Sequence, residues 1–263
     1  MIPKKIHYCW FGGKPLPELA IRCIDSWRKL LPDYEIIEWN ETNFDIHICK
    51  YVEEAYNARK WAFVADYARF LALYNEGGIY FDTDIEVLKS FDDLLQFNAF
   101  FGYGQRSLTL PVFGAKAQQG LYKQILEFYN TRSFIKPDGT YDTTTIEVTA
   151  RKVLEENYGF TLNWKQQILR DNIAILPQEY FGSTDFLTGK ISKNPNLYVI
   201  HYADGSWLSD EERMSINIHR KYVNIMGEKI GMLIGDIVYL YHRYGARKLM
   251  NKIIYKVIYK KNG

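Results

Sequence analysis

The sequence is poor in cysteine, and poorer in the spacings that make cysteine useful. Cys9, Cys23 and Cys49 are the only three, all within the first fifth of 263 residues, with no CxxC pair and no metal-ligand spacing. An odd number so placed fits free thiols in a reducing compartment, not a disulfide framework. The opening Met1-Ile2-Pro3-Lys4-Lys5-Ile6-His7-Tyr8-Cys9-Trp10 lacks the apolar run of a secretory signal and goes straight into what reads as a core strand. Together these absences predict a cytoplasmic chain. Long hydrophobic runs are missing as well. Residues 229–241 are mostly apolar, but Asp236 and two glycines interrupt them, and the stretch falls short of the ~18–20 residues that cross a bilayer. There is no internal repeat and no low-complexity tract.

What remains is a globular composition, 47% hydrophobic and only 24% charged, long enough for one large domain or one domain with an appendage. Aromatic residues are abundant: 21 Tyr, 15 Phe and 6 Trp. Aromatic faces suit sugar rings and nucleobases, although the same excess serves an aromatic core. The net charge of +2 is unevenly spread. Residues 219–263 hold ten Lys or Arg against Glu228 and Asp236, a net +8, which leaves −6 for residues 1–218. That shift predicts a catalytic body over 1–218 and a basic tail over 219–263. No nucleic-acid partner is expected.

The body reads as α/β. Residues 4–11 form a strand stopped by Gly12-Gly13, a helix follows at about 18–30 with Leu19, Ile21, Ile24 and Trp27 as its apolar stripe, and residues 34–39 form a second strand. This strand–helix–strand opening predicts a parallel sheet. Residues 51–75 read as one long helix ending at Gly77-Gly78, where glycine supplies a left-handed cap. Then come Ile79-Tyr80-Phe81, Asp82-Thr83-Asp84 and Ile85-Glu86-Val87-Leu88. Further strands are expected at 97–103, 110–115, 173–176 and 197–202, helices at 119–131 and 146–157, and a polar loop at 133–145.

In the tail, Lys248, Lys252, Lys256 and Lys260 recur every four residues, with Leu249, Ile253 and Val257, and also Met250, Ile254 and Ile258, on the other side. This basic amphipathic helix reads as an anchor on an anionic membrane surface, peripheral on the inner face of the cell membrane. A C-terminal helix packed on the body with a solvated lysine face would show the same pattern.

The chemistry centres on Asp82-Thr83-Asp84. Alternate residues of an extended segment point to one side, so two carboxylates can converge on a single point. Hard carboxylate oxygens suit Mg²⁺ or Mn²⁺ bound together with substrate phosphates, and a cation there would neutralise charge on a diphosphate leaving group. A turn with two surface aspartates would look alike, but here a buried β-favouring run delivers them. Upstream, Asp66 and Arg69 stand three apart in an otherwise apolar stretch. Burying such a pair is costly unless the two bridge each other or face a ligand. Both arrangements remain open from spacing alone.

Ala65-Asp66-Tyr67-Ala68-Arg69, followed by Leu73-Tyr74-x-x-Gly77-Gly78-Ile79-Tyr80-x-Asp82-x-Asp84, resembles the DXD-containing sugar-binding region of glycosyltransferase family 32. That family includes capsular and O-antigen glycosyltransferases and yeast mannosyltransferases, and the large clostridial glucosylating toxins are related in fold and motif. Ile2 to Trp10 resembles the family's first strand, and Ile200-His201-Tyr202-Ala203-Asp204-Gly205-Ser206-Trp207 its C-terminal His…Ser-Trp element.

The resemblance implies a GT-A type fold, a single Rossmann-like mixed sheet flanked by helices, with a C-terminal helical appendage. It also implies a retaining, metal-dependent transfer of a hexose or N-acetylhexosamine from a UDP-sugar to a glycan acceptor. The basic tail suggests that this acceptor is lipid-linked, as in surface polysaccharide synthesis. Trp10 would stack on the nucleobase, Asp66 and Arg69 would contact sugar hydroxyls and diphosphate, and Tyr80 would pack beside the donor. Asp82 would be shared between donor and metal, with Asp84 the direct ligand. His201 or Asp204 would complete the metal site. Ser206 and Trp207 would close over the phosphates, and Asp82, Asp84, Arg69 and Trp207 would carry catalysis. Two other classes compete: a haloacid-dehalogenase-like phosphatase, which also uses Asp-x-Asp after a strand, and a non-catalytic carbohydrate-binding module. Asp92-Asp93 come too soon after the motif to serve as the distal acidic pair of the first. The second has no need of Asp66, Arg69 and Asp84 together.

Overall fold

The computed structural model describes residues 1–263 except 105–106, 186–187, 192–193, 204, 206–209 and 260–263, and gives only the backbone at 183 and 246–259. Its contacts divide the chain into two compact units, one of residues 1–183 and 192–202, the other of residues 184–191 and 203–263. Residue 218, where the composition shifts, lies inside a helix of the second unit.

The first unit is the expected α/β body. β1 (Lys5–Cys9), β2 (Glu35–Trp39), β3 (Gly78–Phe81), β5 (Ala99–Tyr103), β6 (Leu108–Ala115), β7 (Gln167–Leu169) and β8 (Ile173–Leu176) form one mixed sheet in the order β2-β1-β3-β6-β5-β8-β7. β1 runs parallel to both β2 and β3, so their carboxyl ends share one edge. β6 runs antiparallel to β3 and β5. The sheet is not alone: β4 (Ile85–Val87), β9 (Phe181–Ser183) and β10 (Val199–His201) make a second, three-stranded sheet in the order β4-β10-β9. The large mixed sheet is the expected one, and this small sheet is an addition to it. Strands of three residues are too short to show a period of two, and β4 and β10 meet only through long-range pairing.

Both faces of the large sheet are covered, and the alternation along its strands shows it. Ile79 and Phe81 join one core cluster with Ile6 and Tyr8, while Tyr80 joins the other with Phe101 and Phe113. α1 (Glu18–Leu30) and the small sheet lie on the first side; Trp27 of α1 is fully buried and its indole donates to the Ile85 carbonyl at 2.6 Å. α1 matches the expected span, but its buried stripe is Ala20, Cys23, Ile24 and Trp27, and Ile21 is 49% exposed. The other side holds α2 (Lys50–Asn57), α3 (Trp61–Glu76), α4 (Gly120–Asn130) and α5 (Ile146–Tyr158).

The expected helix over 51–75 is thus two helices. Arg59 takes a left-handed conformation (φ 56°), which turns the Lys60 N–H back to the Ala55 carbonyl at 2.9 Å and restarts the chain as α3. Neither glycine nor proline marks this break. At the far end of α3, Gly77 adopts φ 66°, ψ 177°, a region almost closed to other residues, instead of the left-handed cap. A Cβ on Gly78 would lie 2.8 Å from His7 Nε2. The paired glycines therefore let α3 run into β3 against a fully buried His7. That ring accepts from Trp39 Nε1 at Nδ1 (3.0 Å), so Nε2–H donates to the Gly77 carbonyl (2.8 Å). Burial pulls His7 below its usual pKa, which keeps it neutral.

The second unit contains α6 (Asp210–Met226) and α7 (Glu228–Tyr259), with a non-helical Gly245 inside the latter. Among the described residues, no helix is long and apolar enough to cross a membrane. Lys260 lies outside the described residues, and for Lys248, Lys252 and Lys256 only the backbone is described.

Candidate metal centre and donor pocket

The site forms where β3 ends. Asp82 follows the last residue of that strand, and its N–H donates to the Pro111 carbonyl at 2.8 Å. The chain then turns, with Ile85 N–H bonded to the Asp82 carbonyl at 3.1 Å, and enters β4 of the small sheet. β10 pairs antiparallel with β4, placing His201 opposite Ile85, and the Tyr202 N–H donates to the Asp84 carbonyl at 3.1 Å. Two sheets thus bring three candidate ligands together. One ligand atom from each of Asp82, Asp84 and His201 falls within 4.8 Å of the others, and His201 Nε2 lies 3.4 Å from Asp84 Oδ1.

This set fits a divalent cation. Two carboxylates and an imidazole are hard-to-intermediate donors, suited to Mn²⁺ or Mg²⁺ with open positions for phosphate oxygens. Burial works against charge on His201, but the hydrogen bond and charge of Asp84, with Asp82 behind it, outweigh that and raise its pKa. Burial raises Asp82 as well, opposed by Arg69 and His201 and reinforced by Asp84. Two carboxylates and an imidazole this close perturb one another's protonation strongly, as groups in functional sites commonly do.

Arg69 is the pivot beneath it. Its guanidinium lies 3.3 Å from Asp82 Oδ1 and 3.5 Å from Asp66 Oδ1. It also donates to the Leu110 carbonyl at 3.1 Å and the Ala65 carbonyl at 3.2 Å, and lies 4.6 Å from the Tyr80 ring centroid. Burial opposes its charge, yet Tyr80, Asp82 and Asp66 push its pKa further up. The Asp66–Arg69 pair is therefore an internal bridge, and through Asp82 it is also tied to the motif. Burial pushes Asp66 up to about 7 despite the neighbouring Arg69.

Tyr80 is 2% exposed, so its ring supports Arg69 from below and meets Phe113 instead of facing open space. Trp10 follows β1 at the same carboxyl edge where Asp82 follows β3, and clefts outside such edges are where α/β sheets bind ligands. It is half-buried, and its indole N–H donates to the Lys14 carbonyl at 2.5 Å. Asp204, Ser206 and Trp207 lie outside the described residues.

One residue escaped the sequence reading. Glu147, in the first turn of α5, lies close enough to act electrostatically on both Asp66 and His201. With Ser107, Thr145, Arg151, Lys152 and Glu155 it lines an open cavity of about 520 Å³. In the sequence an acidic residue after Thr145 reads only as a helix-start residue.

Comparison with known proteins gives a family match that spans Asp66, Arg69, Asp82 and Asp84. Residues 17–101 match the family described as glycosyltransferase sugar-binding region containing DXD motif. Inositol phosphoceramide mannosyltransferase 1 of Schizosaccharomyces pombe is 30% identical over 245 residues, covering 86% of this chain and 68% of that protein. Mannosyltransferase 3 of the same name and organism is 32% identical over 106 residues, 37% of this chain but only 28% of that protein's length. Among solved structures, the PaToxG glycosyltransferase aligns over 59% of this chain and 68% of its own, at 19% identity and a TM-score of 0.46. The motif at the carboxyl edge of β3, the family match over residues 17–101 and the relative aligned over 86% of this chain together place the chain in the family of glycosyltransferases with a DXD-containing sugar-binding region.

Proposed function

We propose that the chain is a retaining, metal-dependent glycosyltransferase that moves a hexose or N-acetylhexosamine from a UDP-sugar to a glycan acceptor. The observation that carries the reading is the convergence of Asp82, Asp84 and His201 within 4.8 Å, backed by Arg69. A phosphatase would need a free nucleophilic aspartate, whereas Asp82 is engaged by Arg69. A binding module would need no such cluster.

Asp82, Asp84 and His201 would hold Mn²⁺ or Mg²⁺, which supplies charge neutralisation for the departing diphosphate. Arg69 adds a fixed positive charge that costs no reorganisation during reaction, because four protein groups already hold it. Trp10 stacks on the base, Asp66 orients sugar hydroxyls, and Ser206 and Trp207 donate to the phosphates. Reaction proceeds on one face of the sugar. The bond from the anomeric carbon to the phosphate oxygen breaks, the acceptor oxygen bonds to the same face, and the acceptor proton passes to the leaving phosphate. The cavity beside Glu147 is the acceptor's approach.

A second donor has its own support. The curated relatives are named for mannosyl transfer, so GDP-mannose stands beside the UDP-sugars. Their names also specify a phosphoceramide, in keeping with a lipid-linked acceptor. The deciding experiment measures nucleotide release from UDP-glucose, UDP-galactose, their N-acetyl forms and GDP-mannose, with Mn²⁺, Mg²⁺ and chelator. Cation-dependent release from one donor is the expected result. Metal-independent phosphate release, with no donor turned over, would refute the assignment.

A further inference from the structure

α6 and α7 pack unusually closely, and the closeness fixes which side of α7 faces outward. A Cβ on Gly231 would lie 2.3 Å from Val223 Cα, and one on Gly235 would lie 2.4 Å from the His219 ring. These glycines, four residues apart, therefore mark the face that α7 turns to α6. The charged side chains beside them turn the same way: Asp236 pairs with His219 at 3.1 Å, and Arg243 pairs with Glu211. Exposed polar residues of α7 include Lys229, Asp236, His242 and Arg243, and between them runs an apolar line. Ile230 (58% exposed), Leu233 (61%), Ile237 (36%) and Tyr241 (53%) recur at three- and four-residue steps along one stripe. Ile225 and Met226, at the end of α6, are exposed as well.

We propose that this stripe is a membrane-docking face that lies flat on an anionic lipid surface. Charge complementarity selects the occupant. Residues 219–263 carry a net +8, and the sequence after the stripe places Lys248, Lys252, Lys256 and Lys260 four residues apart. A second copy of the same chain would bring that charge against itself. An anionic bilayer would instead attract it, while the apolar side chains enter the boundary between headgroups and acyl chains. Tyr241 suits that boundary, with a ring to bury and a hydroxyl to leave wet. The inference does not depend on sugar transfer and can fail independently of it.

The test uses the full chain and vesicles of phosphatidylcholine with and without phosphatidylglycerol, read by flotation. Binding to the anionic vesicles alone is expected, with a loss of roughly tenfold or more in Leu233→Ser/Ile237→Ser. Both residues are exposed, so the double variant should keep the wild-type circular dichroism. Tyr241→Trp should gain a fluorescence component quenched by brominated acyl chains. Anionic-vesicle binding that survives the double variant, with no quenching of the introduced indole, would overturn the proposal. A wild-type chain that is dimeric by light scattering, and monomeric in the double variant, would overturn it too by assigning the stripe to a second copy.

Discussion

Arg69 reaches Asp66 at 3.5 Å and Asp82 at 3.3 Å with the same guanidinium nitrogen, tying the middle of α3 to the metal-binding motif. Removing the cation from this triad leaves two carboxylates without their partner in a largely buried space. Arg69→Ala should therefore destabilise the body by about 3–5 kcal/mol, measured by urea denaturation. Arg69→Lys should recover only part, since a single ammonium cannot also reach the Leu110 and Ala65 carbonyls. A variant as stable as wild type would show that the triad contributes nothing to the fold.

Asp84→Ala should lower nucleotide release by roughly a hundredfold or more and remove the stabilisation by Mn²⁺ seen in a thermal-shift titration. Its circular dichroism should stay that of wild type, because the carboxylate faces the site and not the core. Mn²⁺-stimulated turnover surviving in this variant would exclude Asp84 as a ligand.

His201→Ala separates the candidates for the third ligand. The Mn²⁺ concentration for half-maximal activity should rise about 10- to 100-fold, with a smaller change in the rate at saturating Mn²⁺. If Asp204→Ala produces that shift and His201→Ala does not, the third ligand is Asp204.

Asp66 carries a proton-linked signature. Its carboxyl, raised from 3.8 to about 7 by burial, binds its proton more tightly in the fold than in the unfolded chain. That stability is complete below the usual carboxylate range and is lost as pH rises through about 7. The raised His201 contributes with the same sign. Wild-type melting temperature should fall over this window, and Asp66→Asn should make the fall shallower. An unchanged slope in the variant would assign the pH dependence to other groups.

Glu147→Gln should reduce transfer to acceptor more than nucleotide release by hydrolysis, with the Mn²⁺ requirement unchanged. Equal loss in both reactions would place Glu147 at the donor instead of on the acceptor's path.

Much of the body could be read from local pattern. The span of α1 was legible because its apolar period starts just after Pro15-Leu16-Pro17 and stops before Pro32, although Ile21 of the expected stripe is exposed. The motif's position after a buried strand was legible because Gly77-Gly78 and Ile79-Tyr80-Phe81 announce it. Other features had no local signal. Arg59 breaks the long helix with an ordinary residue in a left-handed conformation, and Tyr80's burial follows from the helix packed above it, not from its place in a strand. The partnership of His201 with Asp84 rests on pairing between β4 and β10. Only the family resemblance pointed to it, since nothing in either segment names the other.

The motif occupies a seam. Asp82 is bonded through its N–H to Pro111, within β6 of the large sheet, and Asp84 through its carbonyl to Tyr202, at the end of the small one. The small sheet's strands are three residues each, and so short a sheet should open before the seven-stranded one. Competence would then have a melting point of its own, below that of the body. Substitutions in the small sheet away from His201, at Phe181 or Val199 for example, would tune the temperature at which the enzyme switches off without touching the ligand set.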